Sequence, residues 1–142
     1  MLALRRAKGM VIDAGDPDSR SCGSFFVNPV LPTAAALAAV RALGHAPDMA
    51  GVPWWPEPDG HRIKLSAAWL IEQSGLQRGH RSGDGTGPVG LSTKHTLAIV
   101  NHGGATSAQV LAFADHVCGR VRTACGVMLE REPVRMPGAR TE

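Results

Sequence analysis

The sequence of 142 residues has no tyrosine, and aromatic residues make up only 4% of it. Proteins that bind single-stranded nucleic acid commonly combine a cationic groove with aromatic side chains on which bases stack. Here the fifteen cationic residues are twelve arginines and three lysines, scattered along the chain, with a formal net charge of +3. Because the cations are scattered and aromatic residues are few, the sequence predicts no nucleic-acid partner. The mild positive charge suits a small anionic ligand at least as well as a nucleic acid, because arginine recognises phosphate through two parallel hydrogen bonds.

Long apolar runs are also missing. No run approaches the ~20 residues that a membrane-spanning helix needs, and the start, MLALRRAKG, lacks the apolar core and cleavage site of a secretory signal. The three cysteines Cys22, Cys118 and Cys125 cannot all pair in disulfides, which favours a reducing compartment. We therefore expect a cytoplasmic protein with no membrane partner, whose cysteines are free thiols.

Two patterns that often indicate a cofactor or metal occur in an unsuitable context. The segment GTGPVG (85–90) matches the glycine fingerprint of dinucleotide-binding folds, but polar residues precede it and Pro88 interrupts it. The six histidines include no pair four residues apart, and none lies near a cysteine at a spacing typical of zinc sites. The sequence therefore predicts no cofactor-binding site and no metal site in this chain.

Three helices are predicted from capping residues and apolar spacing. The first begins at Thr33 as its N-cap and continues to Leu43, and the second runs from Ser66 to a stop at Gly75. The third and longest follows Thr106, which forms a capping box with a glutamine three residues later. Gly119 within it costs ~1 kcal/mol relative to alanine.

Strands are predicted at residues 10–13, 96–101 and 127–134, and the proline-rich residues 46–60 are predicted to form a loop. Strands and helices do not alternate regularly, as they would in a parallel βαβ fold. We therefore expect a single α+β domain in which a small mixed β-sheet packs against about three helices.

The segment SCGSFFVNPV (21–30) holds two of the three phenylalanines beside a turn of small residues. Phe25 and Phe26 either anchor a loop in the core or fix the position of Ser24. On the predicted closing strand, Glu130 and Glu132 share one face at a Cα separation of roughly 6.6–7 Å, but taken alone this pattern is better explained by solvated carboxylates at an exposed edge. None of these residues indicates a function alone.

Five segments in order resemble a known family: RRAKGM (5–10), GSFFVNPV (23–30), KLSAAWLIEQSGLQRG (64–79), LSTKHTLAIVNHGGAT (91–106) and GVMLEREPV (126–134). Together they resemble the C-terminal domain of UDP-N-acetylenolpyruvoylglucosamine reductase, MurB, a flavoprotein of peptidoglycan synthesis. The resemblance extends from about Leu4 to Val134. It implies that residues 1–136 form the family's substrate-binding domain and that residues 137–142 are a tail.

The resemblance implies catalytic roles for Ser24 and Glu132. Ser24 stands at the position of the serine that donates a proton to the substrate. Glu132, rather than Glu130, matches the second carboxylate of the family's L-E-x-E ending, which assists as an acid.

Substrate contacts are implied at four further residues. Lys8 and Asn28 fall where the family contacts the UDP diphosphate, and His95 falls near another substrate contact. Trp55 stands where the long-loop branch of the family has a tyrosine that closes over the diphosphate. An indole offers an N–H donor and stacking area but no hydroxyl.

The family's reaction implies FAD and NADPH as cofactors and UDP-N-acetylglucosamine enolpyruvate as substrate. Reduced flavin transfers hydride to C3 of the enolpyruvyl group, and a proton must then reach C2. Full-length members carry two preceding domains that bind FAD and supply a catalytic arginine, and this sequence matches neither. We therefore expect the substrate-binding domain of a UDP-N-acetylmuramate dehydrogenase, inactive unless upstream domains or a separate chain provide FAD. The alternatives are a stand-alone UDP-sugar-binding module and a non-functional gene fragment.

Overall fold

The structure, a computed structural model, describes residues 2–9 and 11–134. The predicted boundary at residue 136 and the tail 137–142 lie outside these residues. The helices are α1 (Leu2–Ala7), α2 (Thr33–Ala42), α3 (Ala67–Gln73) and α4 (Ser107–Cys125), and a 3₁₀ turn covers Pro17–Ser19. The strands are β1 (Ser21–Ser24), β2 (Val30–Pro32), β3 (Trp54–Pro56), β4 (Arg62–Leu65), β5 (Val89–Leu91) and β6 (Ala98–Asn101).

The α+β prediction is confirmed, whereas the described strands do not form the single mixed sheet that the sequence predicts. They form two three-stranded antiparallel sheets, one in the order β1–β6–β5 and the other in the order β2–β4–β3. The chain leaves the first sheet after Ser24 and enters the second at Val30. The connecting segment 25–29 therefore lies between the two sheets and is held by both of them.

Helix α4 contributes a buried stripe to the core between the sheets and helices. Phe113, Ala114, Val117 and Val121 on this stripe are buried, at the spacing of a helix with one apolar face. Its predicted capping box is confirmed, since the Thr106 hydroxyl accepts the Gln109 N–H and the Gln109 side chain accepts the Thr106 N–H. Burial against this core raises the pKa of the two free thiols on the helix, Cys118 and Cys125.

The boundaries of α3 are also as predicted, whereas the start of α2 differs. Ser66 caps α3 by accepting the N–H of Trp69 at 3.3 Å. Thr33 is the first residue of α2 and makes no cap; its hydroxyl instead donates to the His61 carbonyl at 2.9 Å. Thr33 therefore fastens α2 to the turn that precedes β4.

Two strand predictions and one loop prediction need correction. Met10 lies outside the described residues, and residues 11–13 are irregular, with Ile12 95% exposed because no neighbouring strand covers it. The proline-rich loop contains strand β3, which pairs with β4. The segment 127–134 makes only an isolated bridge, Phe26 to Arg131, because Pro133 cannot extend the ladder.

Within the described part of the chain, none of the helices combines the length and the apolar character needed to cross a bilayer.

Candidate functional site

Ser24 is held in place by the two buried phenylalanines that follow it. The Phe25 and Phe26 rings pack against each other with centroids 5.3 Å apart. The Phe25 N–H donates to the Leu97 carbonyl at 2.7 Å, and the Phe25 carbonyl accepts the Glu132 N–H at 3.0 Å. The pair therefore belongs to the core and also fixes the backbone that carries Ser24, so the two interpretations of this segment are compatible.

A bulge in β1 directs the Ser24 side chain. Ser21 lies opposite Val100 and Ser24 opposite Ala98, so three steps along β1 match two along β6. The extra residue is accommodated near Gly23, whose φ of +82° lies in the left-handed region that only glycine adopts without penalty. The predicted turn of small residues is thus a bulged strand.

Ser24 opens into a cavity of about 400 Å³ that contains four types of polar group. Its lining residues are Ser24, Phe26, Val27, Asn28, Lys64, Leu97 and Glu132. An adjoining cavity of about 310 Å³ is lined by Cys22, Ser24, Glu132 and Pro133. Ser24 and Glu132 line both cavities, so a hydroxyl and a carboxyl group meet at their junction.

The amide of Asn28 has a defined orientation. Its side-chain oxygen accepts the N–H of Ala67, the first residue of α3, at 2.9 Å. Because a backbone N–H can only donate, the oxygen must be the atom that faces Ala67. The NH₂ group is therefore the end that remains for a ligand, as a role in binding phosphate oxygens requires.

Lys64 lines the same cavity, and the sequence prediction did not include it. It lies on β4, opposite Val30 of β2 and Trp55 of β3. Its neighbours Ile63 and Leu65 are buried, whereas its own side chain is 41% exposed. The alternation of apolar and cationic residues in Arg62–Leu65 is the signal that could have indicated a cation on the outer face of a strand.

Trp55 lies on a strand and not on a loop. Its partner across the sheet is Lys64, and residues directly opposite each other in an antiparallel pair point to the same face. Trp55 is 48% exposed and is not among the described residues that line the Ser24 cavity. The indole therefore flanks the cation of the cavity without entering the cavity itself.

Lys8 and His95 lie near each other, outside the cavity lining. Burial lowers the pKa of His95, and the positive charges of Lys8 and Arg78 lower it further. The His95 Nδ1 atom accepts the Leu97 N–H at 3.1 Å, so the neutral ring carries its proton on Nε2. Since Leu97 lines the cavity, one hydrogen bond connects His95 to the site.

Glu130 and Glu132 open into different cavities. Both are exposed, on the face opposite the buried Val127 and Leu129, as the predicted alternation requires. Glu132 lines the two cavities that it shares with Ser24, whereas Glu130 lines a neighbouring groove of about 260 Å³ that shares Asn28, but not Ser24, with the cavity. The geometry therefore distinguishes between the two carboxylates.

The glycine-rich segment 85–90 does not fit a dinucleotide phosphate. A Cβ on Gly87 would lie 2.1 Å from the Ser82 hydroxyl, and the Arg81 guanidinium donates to the Gly87 carbonyl at 2.8 Å. The segment leads into β5, whereas a dinucleotide site needs the N-terminus of a helix there. Its glycines thus serve the close packing of their own loop.

Fold and site together define a small α+β domain in which a hydroxyl, an amide, an ammonium and a carboxyl group meet at one cavity. Residues 16–136 match the model of the family described as UDP-N-acetylenolpyruvoylglucosamine reductase, C-terminal domain. The chain belongs to this family.

Reviewed relatives carry the name UDP-N-acetylenolpyruvoylglucosamine reductase. The protein from Thermobifida fusca is 49% identical over 138 residues, and that from Saccharopolyspora erythraea is 50% identical over 136 residues. A third, from Mycobacterium sp. (strain MCS), is 48% identical over 134 residues. Each match covers 94% of this chain, but only 35–36% of the relative. The chain therefore spans about a third of the length of these relatives.

Proposed function

We propose that this chain is the substrate-binding and catalytic-acid domain of a UDP-N-acetylmuramate dehydrogenase. The enzyme would reduce UDP-N-acetylglucosamine enolpyruvate to UDP-N-acetylmuramate in peptidoglycan synthesis. The observation that carries the proposal is the cavity shared by Ser24, Asn28, Lys64 and Glu132, in a chain of this family. A proton donor, an oriented amide and a cation are the groups that this substrate needs.

The diphosphate binds at Asn28 and Lys64. The Asn28 NH₂ group donates to a phosphate oxygen while its carbonyl remains on Ala67. The Lys64 ammonium supplies the charge, and charge-assisted hydrogen bonds of this kind are roughly twice as strong as neutral ones. Lys8, near His95, adds a second cation at the edge of the site, and Trp55 offers its ring face beside Lys64.

Ser24 delivers the proton to C2. When bound, FAD reduced by NADPH would supply the hydride to C3, as the family implies. A serine hydroxyl is a weak acid, so it gives up its proton only to a strong base, and the carbanion-like C2 formed in this reaction is such a base. Glu132, which lines both cavities with Ser24, takes the second acid role that the family implies, beside the family's catalytic arginine.

Binding of FAD and NADPH is assigned to parts of the enzyme outside the described residues of this chain. The segment that most resembles a dinucleotide site, 85–90, is closed by its own contacts with Arg81 and Ser82. The chain alone is therefore expected to bind substrate without oxidising NADPH. A stoichiometric flavin released from the purified chain on denaturation would contradict this assignment.

Calorimetric titration with UDP-N-acetylglucosamine tests the binding role. Lys64→Met should weaken binding at least tenfold, because the charged contact with the diphosphate is lost. Lys94→Met is the matched control, since Lys94 pairs with Asp16 away from the cavity. Equal affinities for the native chain and Lys64→Met, or binding that only Lys94→Met removes, would contradict the proposal.

The stand-alone binding module remains the second candidate, because the amide and the ammonium proposed to bind the diphosphate both lie in this chain. Fusion of the chain to the flavin-binding part of the Thermobifida fusca relative distinguishes the two. NADPH oxidation that depends on the enolpyruvyl substrate supports the enzyme domain, whereas binding without turnover in the fusion supports the module.

A further inference from the structure

Lys64, the cation of the cavity, is already paired with a carboxylate of its own chain. Its Nζ atom lies 3.2 Å from Oε1 of Glu57. Trp55 lies opposite Lys64, and Glu57, two residues further along, is the diagonal neighbour on the same face of the hairpin. The pairing thus follows from the strand register and is not a chance contact of two long side chains.

The turn between β3 and β4 holds Glu57 in place. The Glu57 N–H donates to the Arg62 carbonyl at 2.9 Å, and the Glu57 carbonyl accepts the Gly60 N–H at 3.1 Å. Asp59 accepts the backbone N–H groups of His61 and Arg62, and it pairs with the Arg62 side chain at 2.6 Å. These hydrogen bonds hold the backbone of Glu57 in the turn, and its carboxylate thereby stays close to Lys64.

Glu57 contacts the Lys64 ammonium but does not line the cavity. Lys64 lines the cavity with Ser24 and Asn28, but Glu57 is not among the described residues that line it. A lysine has a flexible stem and three donors, so its ammonium can move between two neighbouring anions. The Lys64 side chain is 41% exposed and that of Glu57 19%, so the pair is only partly shielded from solvent. An anion with more charge than a single carboxylate attracts the ammonium more strongly and can displace Glu57.

We propose that Glu57 is an intramolecular competitor for the anionic ligand at Lys64. In the free protein the ammonium rests on Glu57, and a diphosphate draws it into the cavity. Glu57 thereby lowers the affinity of the site and favours ligands with enough negative charge to displace it. The choice of a diphosphate as the displacing ligand rests on the proposed function, whereas the competition at Lys64 does not.

Inorganic pyrophosphate is the probe that tests the competition directly. Its dissociation constant is measured from the NMR shifts of the Lys64 Cε–Hε signals in the native chain and in Glu57→Gln. The variant should bind pyrophosphate about two- to tenfold more tightly, because the ammonium no longer leaves a carboxylate to reach it.

Two further variants separate competition at Lys64 from a general effect of charge. Glu130→Gln removes the same charge from an exposed side chain in another groove and should leave the affinity unchanged. In a Lys64→Met background, followed at the Asn28 side-chain amide, Glu57→Gln should have no effect.

An unchanged or weaker affinity in Glu57→Gln overturns the inference, and a weaker one would make Glu57 a positioning residue instead. The inference is also overturned if Glu130→Gln raises the affinity for pyrophosphate as much as Glu57→Gln does. The same holds if Glu57→Gln raises the affinity in the Lys64→Met background, or if no variant binds pyrophosphate detectably. Failure of the native chain to bind UDP-N-acetylglucosamine, with the Glu57→Gln increase for pyrophosphate intact, would contradict the proposed function alone.

Discussion

The proton-donor role proposed for Ser24 depends on its neighbours more than on its own acidity. The buried pair Phe25–Phe26 fixes the backbone after it, and the bulge before it aims the side chain into the cavity. Among the described residues no protein group hydrogen-bonds the Ser24 hydroxyl, so its proton has no acceptor within this part of the fold. Protonation of a carbanion requires a donor that is fixed in position and whose proton is not already donated to another protein group.

Replacement of Ser24 should affect only the step that needs its proton. In a fusion with the part of a relative that this chain does not cover, Ser24→Ala should leave the rate at which NADPH reduces the proposed flavin unchanged. The rate at which substrate reoxidises the flavin should fall by ~10²–10⁴-fold, the usual contribution of a positioned acid. Stopped-flow absorbance measures both rates, and an unchanged reoxidation rate would leave the phenylalanine pair with a packing role only.

The two carboxylates near Ser24 should differ in the same assay. Glu132→Gln should slow reoxidation, since Glu132 shares both cavities with Ser24, whereas Glu130→Gln should be mild, since Glu130 opens into another groove. The reverse order of effects would mean that the wrong carboxylate has been assigned to the site.

At the scale of single residues, the sequence indicated three members of the cavity but not Lys64. Ser24, Asn28 and Glu132 were predicted because they stand in motifs that resemble a family. Lys64 stands in such a motif too, but its position on the outer face of β4 depends on pairing with β2 and β3. Those partners are about ten and thirty residues away, so local patterns do not reveal them.

At the scale of elements, Gly23 and Gly119 provide a matched test of the bulge in β1. Added Cβ atoms would meet no other atom at either position, but only Gly23 has a positive φ. Gly23→Ala should therefore lower the free energy of unfolding by about 1–2 kcal/mol. Gly119→Ala, in the middle of α4, should raise it by about 0.5–1 kcal/mol.

Urea denaturation of both variants measures these changes. A Gly23→Ala variant as stable as the native chain would show that the backbone at this position does not need glycine, and the account of how Ser24 is aimed would fail.

Helices were easier to predict than strands in this chain, for a physical reason. The first residues of α3 and α4 are set by the local N-caps Ser66 and Thr106. Strand β3 includes Pro56 and Trp55 in a proline-rich stretch, and it exists only because β4 pairs with it. The segment 127–134 has the alternation of a strand, but its partner is the short connection 25–27 and Pro133 ends the pairing.

At the scale of the whole molecule, stability should fall in mildly acidic solution. Burial lowers the pKa of His95, His102 and His116 below the usual value of about 6.5. In mildly acidic solution the unfolded chain therefore binds more protons than the folded chain. The contribution of these histidines to the free energy of unfolding is fully present above roughly pH 6.5, and it is lost as the pH falls towards their lower pKa values in the folded chain. Carboxylates with lowered pKa, such as Asp16 and Asp59, stay charged above pH 5 and do not contribute in this window.

Urea denaturation between pH 7.5 and pH 5 tests this expectation. The free energy of unfolding should decrease towards pH 5, and His95→Gln should reduce the size of the decrease. His61→Gln, an exposed replacement on the β3–β4 turn, is the control. A flat profile, or one that changes only in the control, would contradict the role assigned to these partly desolvated, neutral histidines.

The most direct test of the central claim locates the substrate on the chain by NMR. Amide shifts are followed during titration with UDP-N-acetylglucosamine enolpyruvate. The largest changes should fall on Ser24, Asn28, Lys64 and Glu132. A cavity of about 430 Å³ beside His80, Gln109 and Phe113 provides the comparison, since it is similar in size but lies on another part of the surface. Shifts concentrated there, or none at millimolar ligand, would contradict the assignment of the Ser24 cavity as the substrate site.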